Sequence, residues 1–203
     1  MHHLPSRLQA EVDALSARYG RPALVTARLA DGLFDPLIKP DRIGEVCMVI
    51  RRPGGTLLTV RKDIYPPGVF RLLTGGIGHD ERIEAALLRE VAEETSLEVR
   101  VSRFLAAIAY DAPGWPAGTA AFYTFAFLLD ELGGVLAVQD PEERVEAFRA
   151  IAPADLLVLA ATLEGLEGGH DQAIGGSWQS WGRFRAVVHR VVASQLASLP
   201  DFA

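Results

Sequence analysis

Three glutamates within five residues, Glu90, Glu93 and Glu94, are the residues of this chain best placed to do chemistry. They lie in a segment from Glu81 to Thr95 that lacks glycine and proline and is rich in helix formers. On a helix that turns about 100° per residue, Glu90 and Glu94 lie within about 20° of the apolar Ile83, and Glu93 about 80° away. The three carboxylates therefore continue the apolar face of this helix.

A bound cation explains why the carboxylates share that face. Glu90 and Glu94 are like charges four residues apart, and turning them towards a sheet adds a desolvation cost. Carboxylate oxygens are hard ligands that suit Mg²⁺ or Mn²⁺ better than zinc. Because Mg²⁺ is usually shared with substrate phosphates, the sequence predicts a phosphate compound as the ligand.

The residues around the glutamates fit the same kind of site. Arg89 precedes Glu93 by one helical turn and is placed to orient it through a salt bridge. Gly75, Gly76 and Gly78 come just before the helix, where glycine lets the backbone approach an ion or its phosphates.

The spacing of these residues resembles the signature of the Nudix hydrolases. That signature reads Gly, five residues, Glu, seven residues, Arg-Glu, an apolar residue, any residue, Glu-Glu, any residue, Gly and an apolar residue. The chain matches it at eight positions: Gly75, Glu81, Arg89, Glu90, Val91, Glu93, Glu94 and Leu97. It departs from the family at Ser96, where relatives have glycine, and at Thr74, where they have Pro-Gly-Gly and this chain has Leu-Thr-Gly. Neither departure removes a carboxylate.

The resemblance implies an α/β fold, a Nudix-type α/β/α sandwich with a mixed β-sheet, over residues 43–165. Residues 1–42, a helix followed by a linker or accessory hairpin, and residues 166–203, a helical extension packed on the same domain, lie outside it. Similar extensions in relatives often form dimers, so a homodimer is a further expectation.

The resemblance also implies an activity, the attack of water on phosphorus that cleaves a nucleoside diphosphate linked to another group. The implied Mg²⁺ or Mn²⁺ ligands are Glu90, Glu93, Glu94 and the backbone carbonyl of Thr74. The proton acceptor is either Glu90 or an acid of a later loop, Glu142 or Glu143.

Substrate clues lie outside the signature. Pro113 follows Leu97 by sixteen residues and resembles the downstream proline of ADP-ribose pyrophosphatases, and Trp115 could stack on a base. These features favour ADP-ribose or a nucleotide sugar. Nucleoside triphosphates, dinucleoside polyphosphates and coenzyme A derivatives stay open, as does a non-catalytic nucleotide sensor, although such a sensor should have lost carboxylates.

Phosphate binding also needs cationic groups from outside the signature. Arg61 ends a predicted strand and Arg71 precedes the glycines, so both are candidates to point at the site, with Lys62 a weaker one. We expect Gly75 and Gly76 to contact the substrate through their backbone.

The elements that position these residues can be read from periodicity and turn formers. Helices are predicted over 6–19, 81–95, 153–164 and 178–198, with Asp80 as the N-cap of the second. Strands are predicted over 45–50 and 56–61, which form a hairpin, and over 69–73, 97–110, 119–129 and 145–151. A glycine turn connects 69–73 to the helix, and 23–43 is a linker or accessory hairpin that begins with a candidate strand, 23–29.

Composition excludes two classes of partner. The 203 residues carry 20 basic and 26 acidic side chains, a formal net charge of −6. An acidic chain lacks the basic field that binding to nucleic acid or an anionic membrane requires. The sequence shows neither a signal peptide nor an apolar stretch long enough to span a membrane, and a cytoplasmic location is the expectation.

Overall fold

Alternating residues of one strand enter two separate cores, and this alternation defines the layers of the molecule. The computed structural model describes residues 4–116 and 118–202. Along strand β2 (Arg42–Arg51), Cys47 and Val49 pack on one face, whereas Val46, Met48 and Ile50 pack on the other. Because side chains of a strand point alternately to opposite faces, a strand buried throughout must be covered on both sides.

Helices cover both faces of the sheet. Helices α1 (Ser6–Tyr19) and α2 (Ile83–Thr95) pack on one face. Helices α3 (Leu156–Glu164) and α4 (Trp178–Ala197) pack on the other. This arrangement confirms the predicted α/β/α sandwich and its flanking helical extensions. No helix in the part of the chain that the structure describes is long and apolar enough to cross a bilayer.

The central sheet is mixed. Its remaining strands are β1 (Ala23–Arg28), β3 (Leu57–Lys62), β4 (Leu73–Gly78), β5 (Leu97–Asp111), β6 (Phe122–Gly134) and β7 (Val145–Ile151). The order is β1-β5-β6-β2-β3-β7, and β4 pairs with β2. The pairs β1–β5 and β2–β6 are parallel, and the other pairs are antiparallel. Outside the sheet, β8 (His170–Asp171) pairs with β9 (Gly176–Ser177) just before α4.

Two predictions about the elements were wrong. The candidate strand at 23–29 is confirmed as β1, but it joins the main sheet beside β5 and does not form an accessory hairpin. The glycines are not in a turn after a strand at 69–73, because β4 itself contains them and pairs with β2 from Leu73 to Gly78. In both cases, backbone pairing with a distant strand outweighs local turn propensity. The domain boundaries at 43 and 165 and the homodimer stay predictions.

Helix α2 begins later than predicted and has a different N-terminal partner. Its N-cap is Arg82, which forms no side-chain cap, so Asp80 does not have the expected role. Instead, the Ile83 N–H donates to the Glu11 carboxylate of α1 at 2.9 Å. A carboxylate from another helix thus satisfies one of the free N–H groups at this helix end.

Helix α2 ends at Ser96 in the left-handed region, at φ 57° and ψ 14°. Glycine reaches this conformation without strain, so we expect Ser96→Gly to stabilise the protein by about 1 kcal/mol. Loss of the hydrogen bond from Ser96 Oγ to the Ala137 carbonyl, which is exposed, offsets little of this gain. Urea unfolding measures the change.

Ser198→Gly is the matched control, because Ser198 ends α4 at φ −87°, where glycine brings no relief. A Ser96→Gly variant no more stable than the parent would contradict the prediction.

Candidate active site

Helix α2 turns two of its glutamates into the protein, as its periodicity predicts. Glu90 and Glu94 are 5% and 0% exposed, whereas Glu93 is partly exposed. Ala85 and Ala92 lie on the solvent side of the helix. The apolar face predicted from the sequence therefore does include carboxylates.

Arg89 holds three carboxylates in fixed positions. Its guanidinium donates to Glu81 at 2.8 and 3.0 Å, to Glu90 at 2.9 Å and to Glu93 at 2.8 Å. It also donates to the Gly76 carbonyl at 3.0 Å, which connects α2 to β4. The hydrogen bonds to Glu81, Glu90 and Glu93 and the charge of Glu90 raise the pKa of Arg89. The predicted pair of Arg89 with Glu93 is present.

Strand β4 approaches α2 so closely that one position must be glycine. A Cβ on Gly75 would lie 2.0 Å from Cδ and 2.2 Å from Oε2 of Glu90. The missing side chain of Gly75 therefore makes the space that the Glu90 carboxylate fills.

Glu90, Glu94 and Glu143 form the acidic cluster of this site, and one carboxylate oxygen from each lies within 4.8 Å of the others. Glu143 comes from a 3₁₀ turn, Pro141–Glu143, which Asp140 caps by accepting the Glu142 N–H at 2.8 Å. Lys62 at the end of β3 lies between two of these acids, with Nζ 2.7 Å from Glu143 and 3.2 Å from Glu94. Glu93 is not in this cluster; it is partly exposed and pairs with Arg89, as Glu90 also does.

Burial and charge set different pKa values within the acidic cluster. Burial raises the pKa of Glu94 to about 7, even though Lys62 and Arg71 oppose the shift. Burial also raises the pKa of Glu90 against the effect of Arg89. At Glu143, burial acts in the same sense, but Lys62 outweighs it and leaves the pKa below its usual value. The cluster thus lacks the positive charge that its three carboxylates need.

The acidic cluster fits a hard divalent cation. Both carboxylate oxygens of Glu94 are buried and accept no hydrogen bond from any described residue, and the Lys62 ammonium 3.2 Å away is shared with Glu143. A buried carboxylate without donors is costly unless a cation coordinates it. An all-oxygen donor set without cysteine or histidine suits Mg²⁺ or Mn²⁺ and not zinc.

A cleft of about 640 Å³ opens beside the acidic cluster and receives most of the predicted site residues. Its lining includes Arg71, Thr74, Gly75, Gly76, Arg89, Glu90, Glu93, Glu142 and Glu143. Arg71 is 3% exposed and donates to the Tyr65 hydroxyl at 2.6 Å and the Thr74 hydroxyl at 2.9 Å. The volume is that of a small-molecule site.

Three predicted substrate contacts lie away from this cleft. Arg61 pairs with Glu146 at 2.6 Å and lies over the Phe70 ring. Pro113 and Trp115 line a separate surface depression with Leu29. The Trp115 ring packs against the backbone of Gly32, where an added Cβ would lie 2.9 Å from it. Local packing therefore accounts for Trp115.

The sequence analysis missed the side chains that reach the cleft from α4. Trp181 and Arg185 line it, and so does the buried Glu45 of β2. Arg185 donates to both Glu45 oxygens, at 2.8 and 2.6 Å. These partners are 140 residues apart, so no local pattern links them. The sequence signal was limited to three arginines of the last helix, Arg183, Arg185 and Arg190, and nothing in the sequence distinguishes Arg185 among them.

Comparisons with known proteins found similar solved structures and one matching family model. Similar solved structures include a MutT NUDIX hydrolase from Burkholderia pseudomallei, with 20% identity, 76% of this chain and 97% of that chain covered, and a TM-score of 0.45. They also include an ADP-ribose pyrophosphatase from Streptococcus suis. It is 16% identical, the match covers 77% of this chain and 92% of that one, and the TM-score is 0.46. A search of curated proteins gave no match.

A match to a domain model identifies the family of this chain. A NUDIX domain model matches residues 41–171, well over half of the chain and including the acidic cluster, β4 and the cleft-lining part of α2. The match confirms the family that the glutamate and glycine spacing resembles. This chain belongs to the NUDIX family of pyrophosphohydrolases.

Proposed function

We propose that this chain hydrolyses the pyrophosphate bond of a nucleoside diphosphate linked to another group, with ADP-ribose or a nucleotide sugar as the substrate class. The observation that carries the proposal is the convergence of Glu90, Glu94 and Glu143 at one side of a cleft with cationic side chains elsewhere in its wall. Such a cleft offers separate places for phosphates and for the groups they join.

The residues of the acidic cluster have distinct parts in this proposal. Glu90, Glu94 and Glu143 would hold Mg²⁺, and Arg89 would fix Glu90 and Glu93 in place. When bound, Mg²⁺ would neutralise charge on the pyrophosphate and make water a better nucleophile. Coordination by the Thr74 carbonyl stays a prediction from the family, and Thr74 does lie next to Gly75 on β4.

Two acids remain candidates for the proton acceptor. Lys62 keeps the pKa of Glu143 low, which makes that carboxylate a poor base and a good cation ligand. Glu142 lines the cleft and is exposed, and Glu90 is buried beside Gly75. A base at Glu142 predicts that Glu142→Gln lowers kcat with Mg²⁺ affinity unchanged, whereas a base at Glu90 predicts that Glu142→Gln has little effect on either.

Product analysis tests the proposed function. We expect the purified chain with Mg²⁺ to release AMP from ADP-ribose or a nucleoside monophosphate from a nucleotide sugar, and to need Mg²⁺ for it. Nucleoside triphosphates and coenzyme A belong in the same panel, because turnover of one of these alone would replace the substrate class. Absence of turnover, together with Mg²⁺-dependent nucleotide binding, would contradict catalysis and favour a sensor.

A further inference from the structure

Two buried guanidinium groups share one hydroxyl on the floor of the cleft. Arg71 and Arg185 each donate through Nη1 to Thr74 Oγ1, at 2.9 and 3.1 Å. The two arginines are 3% and 5% exposed. The two positive charges therefore lie at one neutral hydroxyl in a buried environment, where water screens their repulsion poorly.

Among the described residues, one carboxylate, that of Glu45, accepts hydrogen bonds from these two arginines. Glu45 is the buried acid that contacts Arg185, and it also accepts the Thr124 hydroxyl at 2.9 Å. Glu94 acts electrostatically on Arg71, but its carboxylate pairs with Lys62 and belongs to the acidic cluster. Within the described part of the chain, the hydrogen bonds of Arg71 go to neutral oxygens of Tyr65, Leu72 and Thr74.

One hydrogen-bond donor of the Arg185 guanidinium, its Nε–H, has no partner among the described residues. This Nε is buried, although the side chain lines the cleft. Arginine is suited to binding phosphate through several donors at once. A buried guanidinium with an unused donor, at the wall of a cleft, indicates an anion as its further partner.

The position of Arg185 is fixed by its own helix. His189, one turn later on α4, accepts the Leu72 N–H through Nε2 at 2.9 Å, and its Nδ1 lies 2.7 Å from the Arg185 carbonyl. These contacts attach α4 to the chain directly before β4. Helix α4 begins after residue 171, so it is an addition to the matched NUDIX domain.

Two consecutive residues of β4 connect this floor to the acidic cluster. Gly75 contacts Glu90 of the acidic cluster, while the neighbouring Thr74 contacts Arg71 and Arg185. Arg71, Thr74 and Arg185 line the same cleft as Glu90 and Glu143. A substrate with two linked phosphoryl groups would therefore place one near the carboxylates and the other near the arginines.

We propose that Arg185, with Arg71 and Thr74, binds the substrate phosphoryl group that lies away from the acidic cluster, and that Glu45 competes with this phosphoryl group for Arg185. The proposal rests on the proposed function. It places one phosphoryl group of the substrate pyrophosphate at the acidic cluster and the other at the arginines. It assigns a substrate-binding residue to the C-terminal extension.

Opposite effects of two neighbouring substitutions test this proposal. With inorganic pyrophosphate as the probe and Mg²⁺ present, we expect Arg185→Gln to weaken binding about tenfold in calorimetry. We expect Glu45→Gln to strengthen it severalfold, because the amide no longer neutralises Arg185. Arg190→Gln is the matched control, because Arg190 lies on the same helix and pairs with Glu164 at the surface.

A purely structural ion pair gives a different result. If both variants weaken pyrophosphate binding alike, Glu45 and Arg185 only stabilise the fold and the proposal is overturned. If Glu45→Gln fails to fold, Glu45→Asp withdraws the carboxylate from Arg185 and should change binding in the same direction. Unchanged binding in Arg185→Gln also overturns the proposal.

The same variants separate this proposal from the proposed function. A parent chain that hydrolyses ADP-ribose, with an Arg185→Gln variant of unchanged KM and unchanged pyrophosphate binding, removes the arginine subsite alone. If the parent chain hydrolyses nothing, but Arg185→Gln weakens and Glu45→Gln strengthens pyrophosphate binding, the arginine subsite is supported and the proposed hydrolase function is contradicted.

Discussion

Glu94→Gln is expected to abolish Mg²⁺-dependent hydrolysis, on the order of a 10³-fold loss in kcat, while making the metal-free protein more stable. The loss follows because Glu94 is the fully buried member of the acidic cluster. The gain follows because the ionised carboxylate has no hydrogen-bond donor among the described residues, whereas glutamine carries no charge.

The gain in stability depends on pH in a defined direction. Burial raises the pKa of Glu94 to about 7, from an ordinary value near 4.5, so the folded protein holds this proton more tightly than the unfolded chain. In the parent, protonated Glu94 contributes its full stabilisation below pH 4.5, and this stabilisation is lost as the pH rises through 7. At pH 8 without metal, we expect the variant to exceed the parent by about 2 kcal/mol, allowing for the lost Lys62 pair.

Denaturant unfolding of both proteins between pH 4.5 and 8 measures this difference. Added Mg²⁺ should stabilise the parent and leave Glu94→Gln unchanged. Glu98→Gln is the control, because Glu98 is exposed on β5 and should alter neither property. A metal-free variant less stable than the parent at pH 8 would show that Glu94 is a structural acid with sufficient partners.

Gly75→Ala is the second large effect. The new Cβ would lie 2.0 Å from Glu90 Cδ, and an approach this close forces either the carboxylate or β4 to move. Overpacking of this kind costs about 1–3 kcal/mol of stability. Because Glu90 would leave the acidic cluster, we also expect hydrolysis to fall about 10²-fold or more at saturating Mg²⁺.

Gly78→Ala provides the comparison on the same strand. A Cβ at Gly78 meets nothing closer than Glu81 Cβ at 3.8 Å, so this variant should fold like the parent. Kinetics and thermal unfolding of the two variants side by side give the result. Equal activity in Gly75→Ala and the parent would mean that Glu90 does not need its present position.

The local part of the site was predictable because helical periodicity determines it. Glu90, Glu93 and Glu94 lie within one turn and a half, so about 100° per residue is enough to place them. Arg89 and Glu93 are likewise neighbours on one helix face. These features need no knowledge of the rest of the fold.

The distant part of the site was not predictable in the same way. Glu143 was one of two loop candidates, and only the 3₁₀ turn at 141–143 brings it, and not Glu142, to Glu90 and Glu94. Arg185 and Glu45 meet where α4 packs on the central sheet, and no sequence spacing encodes that contact. The loop of Pro113 carries a turn sequence, and the structure uses it for packing beside Leu29.

Glycine propensity misled the interpretation of β4 for a physical reason. Glycine is unfavourable in strands because it has no side chain to pack, which suggested a turn. At Gly75 that absence is the requirement, since the Glu90 carboxylate occupies the space. The strand therefore forms because of its pairing with β2 and its contact with α2.

The central claim is that Glu90, Glu94 and Glu143 together hold the divalent cation on which hydrolysis depends. Titration of the protein with Mn²⁺ followed by electron paramagnetic resonance tests it most directly. The account predicts that the parent binds Mn²⁺, that Mg²⁺ displaces it, and that Glu94→Gln and Glu143→Gln each weaken binding at least tenfold. Equal Mn²⁺ binding by the parent and both variants would contradict it.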